Sequence, residues 1–136
     1  MEPEVARAIR EVNDAYYRAF RERDYEAMAF LWAKELPVSC IHPGMAPLIG
    51  RDDVLRSWRG MLNHPDSPLL ECSSVRVHLL GTTAMLTCLE GVDGDLPRLV
   101  ATNVFTQEDG HWRMVHHHGA ALLSKTTHKG PDRSLN

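Results

Sequence analysis

The chain has 136 residues, of which 43% are hydrophobic, and a formal net charge of -3 at pH 7; this length suits one domain with one hydrophobic core. Basic and acidic residues are interspersed, so the concentrated basic surface that a nucleic-acid partner requires is not expected. No apolar run approaches the roughly 20 residues of a membrane-spanning helix, and the N-terminus lacks the order of a signal peptide, so we expect a cytoplasmic protein without a membrane partner.

Three helices are predicted in the first half of the chain. Apolar residues recur at intervals of three and four over residues 5–22, which predicts an amphipathic helix. Asp24 is a good N-cap for a second, shorter helix, and Pro37 ends it. Asp52 and Asp53 open a third helix, because carboxylates in the first turn complement the helix dipole.

Strands are predicted in the second half, where apolar and polar residues alternate. The predicted strands are residues 70–80, 84–89, 99–107 and 112–123, and residues 38–41 are a further short β-prone segment. Asp109-Gly110 is a strong hairpin signal, so the last two strands should be antiparallel neighbours. Helices followed by strands are typical of an α+β domain with helices on one face of a curved sheet. We expect this domain to span residues 1–124 and residues 125–136 to form a flexible tail.

Six short motifs follow one another along residues 4–122. They are Arg23-Asp24, Trp32, His42-Pro43-Gly44, Gly50-Arg51, Val77-His78-Leu79-Leu80-Gly81 and the stretch from Trp112 to His118. As an ordered set they resemble the NTF2-like superfamily and, within it, SnoaL-like domains and the association domain of calcium/calmodulin-dependent kinase. The resemblance implies three helices that close a strongly bent, mostly antiparallel sheet into a cone with a pocket. It also implies a homodimer through the outer sheet face, with Trp112, Met114 and His116 buried in the interface.

Candidate catalytic residues follow from the same resemblance. Ketosteroid isomerase, a catalytic member of the superfamily, uses a carboxylate base and two oxyanion donors, a tyrosine and a protonated aspartic acid. The resemblance places Tyr16 at the tyrosine, His42 at the base and Asn103 at the acidic donor. A neutral histidine can accept a proton near pH 7, and a phenol and an amide can each donate a hydrogen bond. A structural role competes, because Tyr16 also fits the apolar stripe of the first helix and His42 also fits a capping role at Pro43.

Five further residues are predicted to line a ligand pocket. Trp32 and Trp58 lie on the apolar sides of helices, where a core role is the commoner one and a pocket wall is the alternative. The resemblance implies that Val115 and His117 of the last strand face inward, like Asn103. Phe105 is the fifth predicted lining residue. Together these residues form the predicted ligand-binding set.

The run His116-His117-His118 suggests a metal site, because alternate residues on a strand share a face and an H-x-H pair can chelate zinc. A third ligand is needed, and neither His78 nor Cys88 lies at an identifying spacing. We therefore expect no metal and no cofactor, with His116 and His118 facing outward at a subunit interface.

The chain has three cysteines, Cys40, Cys72 and Cys88. Their number is odd and no CxxC spacing occurs, so the sequence suggests neither a disulfide framework nor a zinc knuckle. Buried free thiols are the expected state, because free cysteine is among the most buried residue types.

Three functions are compatible with these features. The first is a homodimeric pocket protein that binds a small, partly apolar molecule. The second is a cofactor-independent isomerase, dehydratase or cyclase with His42 as base and Tyr16 and Asn103 as donors. The third is an oligomerisation module with a vestigial pocket. A shifted His42 pKa beside a polar-lined cavity would favour the enzyme, whereas a filled cone with an apolar outer sheet face would favour assembly.

Overall fold

The computed structural model describes residues 2–92 and 94–123, and the expected tail at residues 125–136 lies outside this part of the chain. The described residues form three helices and six strands. In chain order they are α1 (Glu4–Glu22), α2 (Tyr25–Leu31), β1 (Ser39–Ile41), β2 (Leu48–Ile49), α3 (Arg51–Asn63), β3 (Leu70–Leu80), β4 (Thr83–Val92), β5 (Leu99–Glu108) and β6 (His111–Ala121). The predicted α+β class is confirmed. No helix in these ranges is both long enough and apolar enough to cross a membrane.

All six strands belong to one sheet, in the order β2-β1-β6-β5-β4-β3. Strands β3 to β6 form an antiparallel meander, and β1 joins it parallel to β6. The predicted hairpin between β5 and β6 is present, with Asp109 and Gly110 at φ 55° and 78°. Positive φ values at both turn residues match the twist of the flanking strands, which is why Asp-Gly occupies this turn.

The Arg23-Asp24 motif has a structural explanation. Arg23 ends α1 in the left-handed conformation, and the Asp24 side chain caps α2 by accepting a hydrogen bond from the Ala27 N–H at 3.1 Å. The Arg23 guanidinium donates to backbone carbonyls in the segment after α3, including that of Ser67 at 3.0 Å. This motif therefore fixes two chain connections at once.

Two further charged side chains hold the chain between α2 and β1. Arg51 donates to backbone carbonyls at the end of α2, those of Ala29, Trp32 and Ala33. The carboxylate of Glu108 accepts from the backbone N–H groups of Lys34, Glu35 and Leu36. These contacts satisfy polar backbone groups that no regular element pairs.

A β-bulge changes which residues of β6 face the helices. The register runs from Val104 opposite His116 to Phe105 opposite Met114, so one residue of β6 is extra. Met114 is fully buried and takes the position that the prediction gave to Val115. Val115 is half-buried at the bulge. Because of this bulge, the expectation that Met114 contributes to an outer interface is wrong.

Candidate functional site

Five of the predicted site residues meet in one buried group between α1, α3 and the sheet. This central cluster consists of Tyr16 on α1, His42 after β1, Trp58 on α3, Asn103 on β5 and His117 on β6. The first, third and fourth of these side chains are 0% exposed, and the two histidines are 5% and 3% exposed. Each of these side chains points inward from its helix, strand or adjoining loop.

The rings of the central cluster pack edge to face around Trp58. Its centroid lies 5.6 Å from that of Tyr16 and 5.3 Å from that of His42, with interplanar angles of 88° and 78°. His117 completes the group at 5.4 Å from Tyr16 and 6.5 Å from His42. The two imidazoles are therefore neighbours in a largely apolar environment.

A chain of hydrogen bonds fixes the tautomer of His117. Asn103 Nδ2 donates to Asn13 Oδ1 at 2.8 Å, and Asn103 Oδ1 lies 2.6 Å from His117 Nδ1. Because the amide oxygen can only accept, Nδ1 must carry the proton, and Nε2 of the neutral ring keeps its lone pair. Asn103 thus orients His117, a role different from the oxyanion donor that the resemblance implied. Asn13, fully buried on α1, was missed, although it is a polar interruption of an apolar stripe.

Burial sets the protonation states of the cluster. It lowers the pKa of His117 to about 3, with the neighbouring His42 adding to the effect. It also lowers the pKa of His42 and raises that of Tyr16 well above its ordinary value. The cluster at pH 7 therefore contains two neutral imidazoles and a phenol that keeps its proton.

Two donors of the cluster are unused. Tyr16 Oη and Trp58 Nε1 are buried and have no hydrogen-bond partner among the described residues. A buried polar group without a partner costs about 1–3 kcal/mol, and such groups are rare in folded proteins. The cluster thus has one O–H group and one N–H group that could donate to an acceptor.

His42 connects the cluster to the protein surface. Its Nε2 lies 2.8 Å from Ser57 Oγ, and Ser57 on α3 lines a surface cleft of about 440 Å³. The other lining residues are Arg56, Gly60, Met61, His64, Asp66, Ser67 and Pro68. Sequence reasoning missed Ser57, because a serine on an amphipathic helix carries no signal of its own. The Arg23 contacts described above hold one wall of this cleft.

The remaining predicted residues lie elsewhere in the core. Trp32 and Phe105 are fully buried in the main hydrophobic core, and the described ring-to-ring contacts of the central cluster involve neither of them. Trp32 forms an isolated bridge with Met114 at the end of α2. Both residues thus belong to the buried core, and their predicted place in a ligand pocket stays a prediction.

The histidine run divides between the two faces of β6. His117 is buried, whereas His116 Nδ1 lies 2.7 Å from Ser39 Oγ, and the rings of His116 and His118 are 6.3 Å apart. Within residues 2–92 and 94–123, no three His, Cys, Asp or Glu side chains are grouped so that they could hold a metal ion.

Comparison with known proteins decides the family. The family model of the SnoaL-like domain matches residues 9–124. The chain belongs to this family. A solved structure from Streptomyces avermitilis, an NTF2-like protein for which a dehydratase activity has been suggested, is similar to this SnoaL-like domain at 29% identity with a TM-score of 0.79. The match covers 90% of this chain and 100% of that one. The NTF2-like fold that the sequence motifs predicted is confirmed.

Two further relatives show how widely the SnoaL-like domain is used. A Thiobacillus denitrificans structure assigned to the calcium/calmodulin-dependent protein kinase type II association domains is 35% identical, with a TM-score of 0.71 and coverage of 82% of this chain and 92% of that one. F-box protein SKIP8 of Arabidopsis thaliana is 33% identical over 117 residues, which are 86% of this chain and 51% of that protein. The chain thus spans about half the length of this relative.

Proposed function

We propose that this SnoaL-like domain binds a small, partly apolar molecule that carries a hydrogen-bond acceptor, such as a carbonyl oxygen, at the central cluster. The observation that supports the proposal is the pair of unpartnered donors, Tyr16 Oη and Trp58 Nε1, in apolar surroundings. An acceptor placed between them would remove the cost of two unsatisfied groups. The aromatic rings around it would contact the apolar part of the molecule.

The entry route runs through Ser57 and His42. The cluster is nearly inaccessible, so a ligand must displace a side chain to reach Tyr16. Among the described residues, Ser57 alone both lines the surface cleft and hydrogen-bonds to the cluster. Rotation of the His42 and Ser57 side chains would join cleft and cluster into one site. A cleft of about 440 Å³ lies within the size range of small-molecule sites.

Binding is tested with two compounds of the same carbon frame, 1-tetralone and tetralin, of which only the ketone has an acceptor. Titration calorimetry should show that the ketone binds about tenfold more tightly, which corresponds to one net hydrogen bond of about 1.4 kcal/mol. The variant Tyr16→Phe should remove most of this preference while tetralin binds as before. Equal binding of both compounds would contradict the proposed role of the donors. Binding of neither would favour the oligomerisation module.

A second candidate function is proton transfer at a carbon next to a carbonyl group. Three observations favour it: His42 is neutral, it lies in the same cluster as the Tyr16 hydroxyl, and a similar structure has a suggested dehydratase activity. In this reaction His42 would remove the proton, and Tyr16 would donate to the developing oxyanion.

The exchange of the α-hydrogens of 1-tetralone for deuterium tests this second function by NMR. The protein should accelerate the exchange, and His42→Ala should reduce the acceleration by roughly 10²-fold, as for other general bases. Ser57→Ala is the control, because it removes the hydroxyl partner of His42 but keeps the imidazole and its contact with Cys40. Exchange that is equal in His42→Ala and in the unaltered protein would exclude His42 as base and leave the binding proposal intact.

A further inference from the structure

A second polar group lies on the inner face of the sheet and is joined to the central cluster by Asn13 and by the ring contact between Tyr17 and Tyr16, whose centroids are 4.7 Å apart. Cys72 of β3 pairs with Glu90 of β4, and Cys88 lies two residues before Glu90 on the same face. The register makes Cys72 and Cys88 diagonal neighbours on these two adjacent strands. Cys72 is half-buried on the edge strand of the sheet, whereas Cys88 is buried.

Each thiol has a separate polar partner on α1. Asn13 Nδ2 donates to Cys72 Sγ at 3.5 Å. Tyr17 Oη lies 3.4 Å from Cys88 Sγ and donates to the carboxylate of Glu90. Cys88, Tyr17 and Glu90 thus form a continuous path along which a proton can leave the Cys88 thiol. The Asn13 amide donates to the Cys72 sulfur, and a donor at this position stabilises a thiolate.

We propose that Cys72 and Cys88 form a dithiol site that reduces a hydroperoxide and closes to an intramolecular disulfide. The Cys72 thiol first loses its proton, and the thiolate attacks the outer oxygen of the peroxide. The O–O bond breaks, Cys72 becomes a sulfenic acid, and the leaving alkoxide or hydroxide takes up the released proton to form an alcohol or water. The Cys88 sulfur then attacks the Cys72 sulfur, the S–O bond breaks, and the hydroxide takes up a proton to form water. The two thiols supply both electrons.

The polar partners divide the roles of the two cysteines. Cys72 is the attacking thiol, because it is the less buried of the two, lies on the edge strand and accepts a hydrogen bond from Asn13. The neighbouring Cys88 thiol and Asn13 lower the pKa of Cys72. The neighbouring Cys72 thiol, together with burial, raises the pKa of Cys88. Cys88 must therefore lose its proton during the second step, and Tyr17 passes it to Glu90, whose pKa is raised by burial. Tyr17 and Glu90 are positioning and proton-accepting groups for this step.

The backbone next to Cys72 allows the two sulfurs to approach. The β3–β4 register shifts between Ser73 and Arg76, and Ser74 has a φ of 53°. A disulfide needs the Cα atoms within about 7 Å, closer than many diagonal pairs in a regular sheet. The bulge gives the edge strand an irregular segment at which this adjustment can occur.

The test starts with the reduced protein, which has three thiols, and a small excess of hydrogen peroxide. The number of free thiols per chain should fall to one, and the intact mass should fall by about 2 Da, as expected for one disulfide. Peptide mapping should place the bond between Cys72 and Cys88, and dithiothreitol should restore both thiols. Cys40→Ser is the matched control and should react as before, because burial raises the pKa of Cys40 to about 12.

Three variants make the proposal falsifiable even if one fails to fold. Cys88→Ser should stop at the sulfenic acid, which dimedone labels at position 72. Cys72→Ser should be inert to peroxide. Tyr17→Phe should form the sulfenic acid at the normal rate. It should close the disulfide at least about tenfold more slowly, because the Cys88 proton loses its path to Glu90. Unchanged thiols in the unaltered protein, equal oxidation of Cys72→Ser, or disulfides only between chains would each overturn the proposal.

Discussion

Tyr16 and Tyr17 are adjacent in the sequence but differ in their hydrogen bonding. The Tyr17 hydroxyl contacts Glu90 and Cys88, whereas the Tyr16 hydroxyl is buried with no partner. A buried hydroxyl without a hydrogen-bond partner lowers stability, because its hydrogen bonds to water are lost on folding and are not replaced. The Tyr16 hydroxyl therefore lowers stability, as expected if it has the binding role proposed above.

This contrast leads to a prediction for two neighbouring substitutions. Tyr16→Phe should raise the free energy of unfolding by about 1–2 kcal/mol, since it removes an unsatisfied buried group. Tyr17→Phe should lower it by about 1–3 kcal/mol, since Glu90 loses its donor in the core. Urea denaturation at pH 7 measures both values. Destabilisation of similar size in both variants would show that the Tyr16 hydroxyl has a partner in solution.

The pH dependence of stability should report the buried histidine. His117 stays neutral in the folded protein because its pKa is lowered to about 3, whereas in the unfolded chain it binds a proton below about pH 6.5. The unfolded state then holds more protons, so stability falls as the pH decreases below 6.5. The loss is about 1.36 kcal/mol per pH unit, or about 2 kcal/mol at pH 5.

His117→Gln tests this contribution, since glutamine can still donate to Asn103. The loss of stability between pH 7 and pH 5 should be about 2 kcal/mol smaller in this variant than in the unaltered protein. His78→Gln, at an exposed position of β3, is the control and should leave the loss unchanged. The Glu90 carboxyl acts with the opposite sign, because burial raises its pKa, and comparison between variants removes its effect.

Sequence reasoning identified the members of the central cluster but not their connections. Tyr16, His42 and Asn103 could be placed because the order of motifs resembles a known family. The partners Asn13 and Ser57 could not, because a hydrogen bond such as that between Asn13 and Asn103 joins residues 90 positions apart. No local pattern reports such a contact. The hydrogen bond from Asn103 to Asn13, and its contact with His117, could not be predicted for the same reason.

At the scale of elements, periodicity was sufficient for the helices and for the β5–β6 hairpin. It was insufficient for the bulge opposite Val104 and Phe105, since one inserted residue changes the inward side without changing the alternation around it. Met114 and Val115 exchanged their expected positions as a result. The sequence identified Arg23 and Arg51 only as parts of motifs. Their hydrogen bonds to backbone carbonyls were found in the structure.

Arg51 and Arg56 offer a matched test on one helix. Arg51 donates to three carbonyls at the end of α2, whereas Arg56 forms an exposed ion pair with Asp53, at 73% exposure of its side chain. Hydrogen bonds from a charged group contribute about 1.5–3 kcal/mol, so Arg51→Ala should lower the free energy of unfolding by about 3 kcal/mol. Arg56→Ala should change it by less than about 1 kcal/mol. Thermal or urea denaturation measures the difference, and equal effects would refute the bracing role of Arg51.

At the scale of the whole molecule, the outer face of the sheet is the surface that a second copy would cover. The register aligns Met85, Val104, His116 and Ser39 in one row across β4, β5, β6 and β1. These side chains are half-buried and alternate with the fully buried residues of the inner face. A face of mixed apolar and neutral polar groups without a concentrated charge is typical of subunit interfaces. We therefore retain the prediction of a homodimer through this face, now centred on Val104.

Val104→Arg tests the homodimer because Val104 lies on an interior strand of the sheet, where an added guanidinium would face its symmetry-related copy or a buried apolar contact. The unaltered protein should have the mass of a dimer by light scattering at micromolar concentration, and Val104→Arg should have that of a monomer with unchanged circular dichroism. Leu96→Arg, at a position 72% exposed in the β4–β5 connection, is the control and should remain dimeric. A monomeric unaltered protein, or a Val104→Arg variant that stays dimeric, would exclude the outer sheet face as the interface. The half-buried apolar side chains of this face would then be in contact with water in the isolated domain.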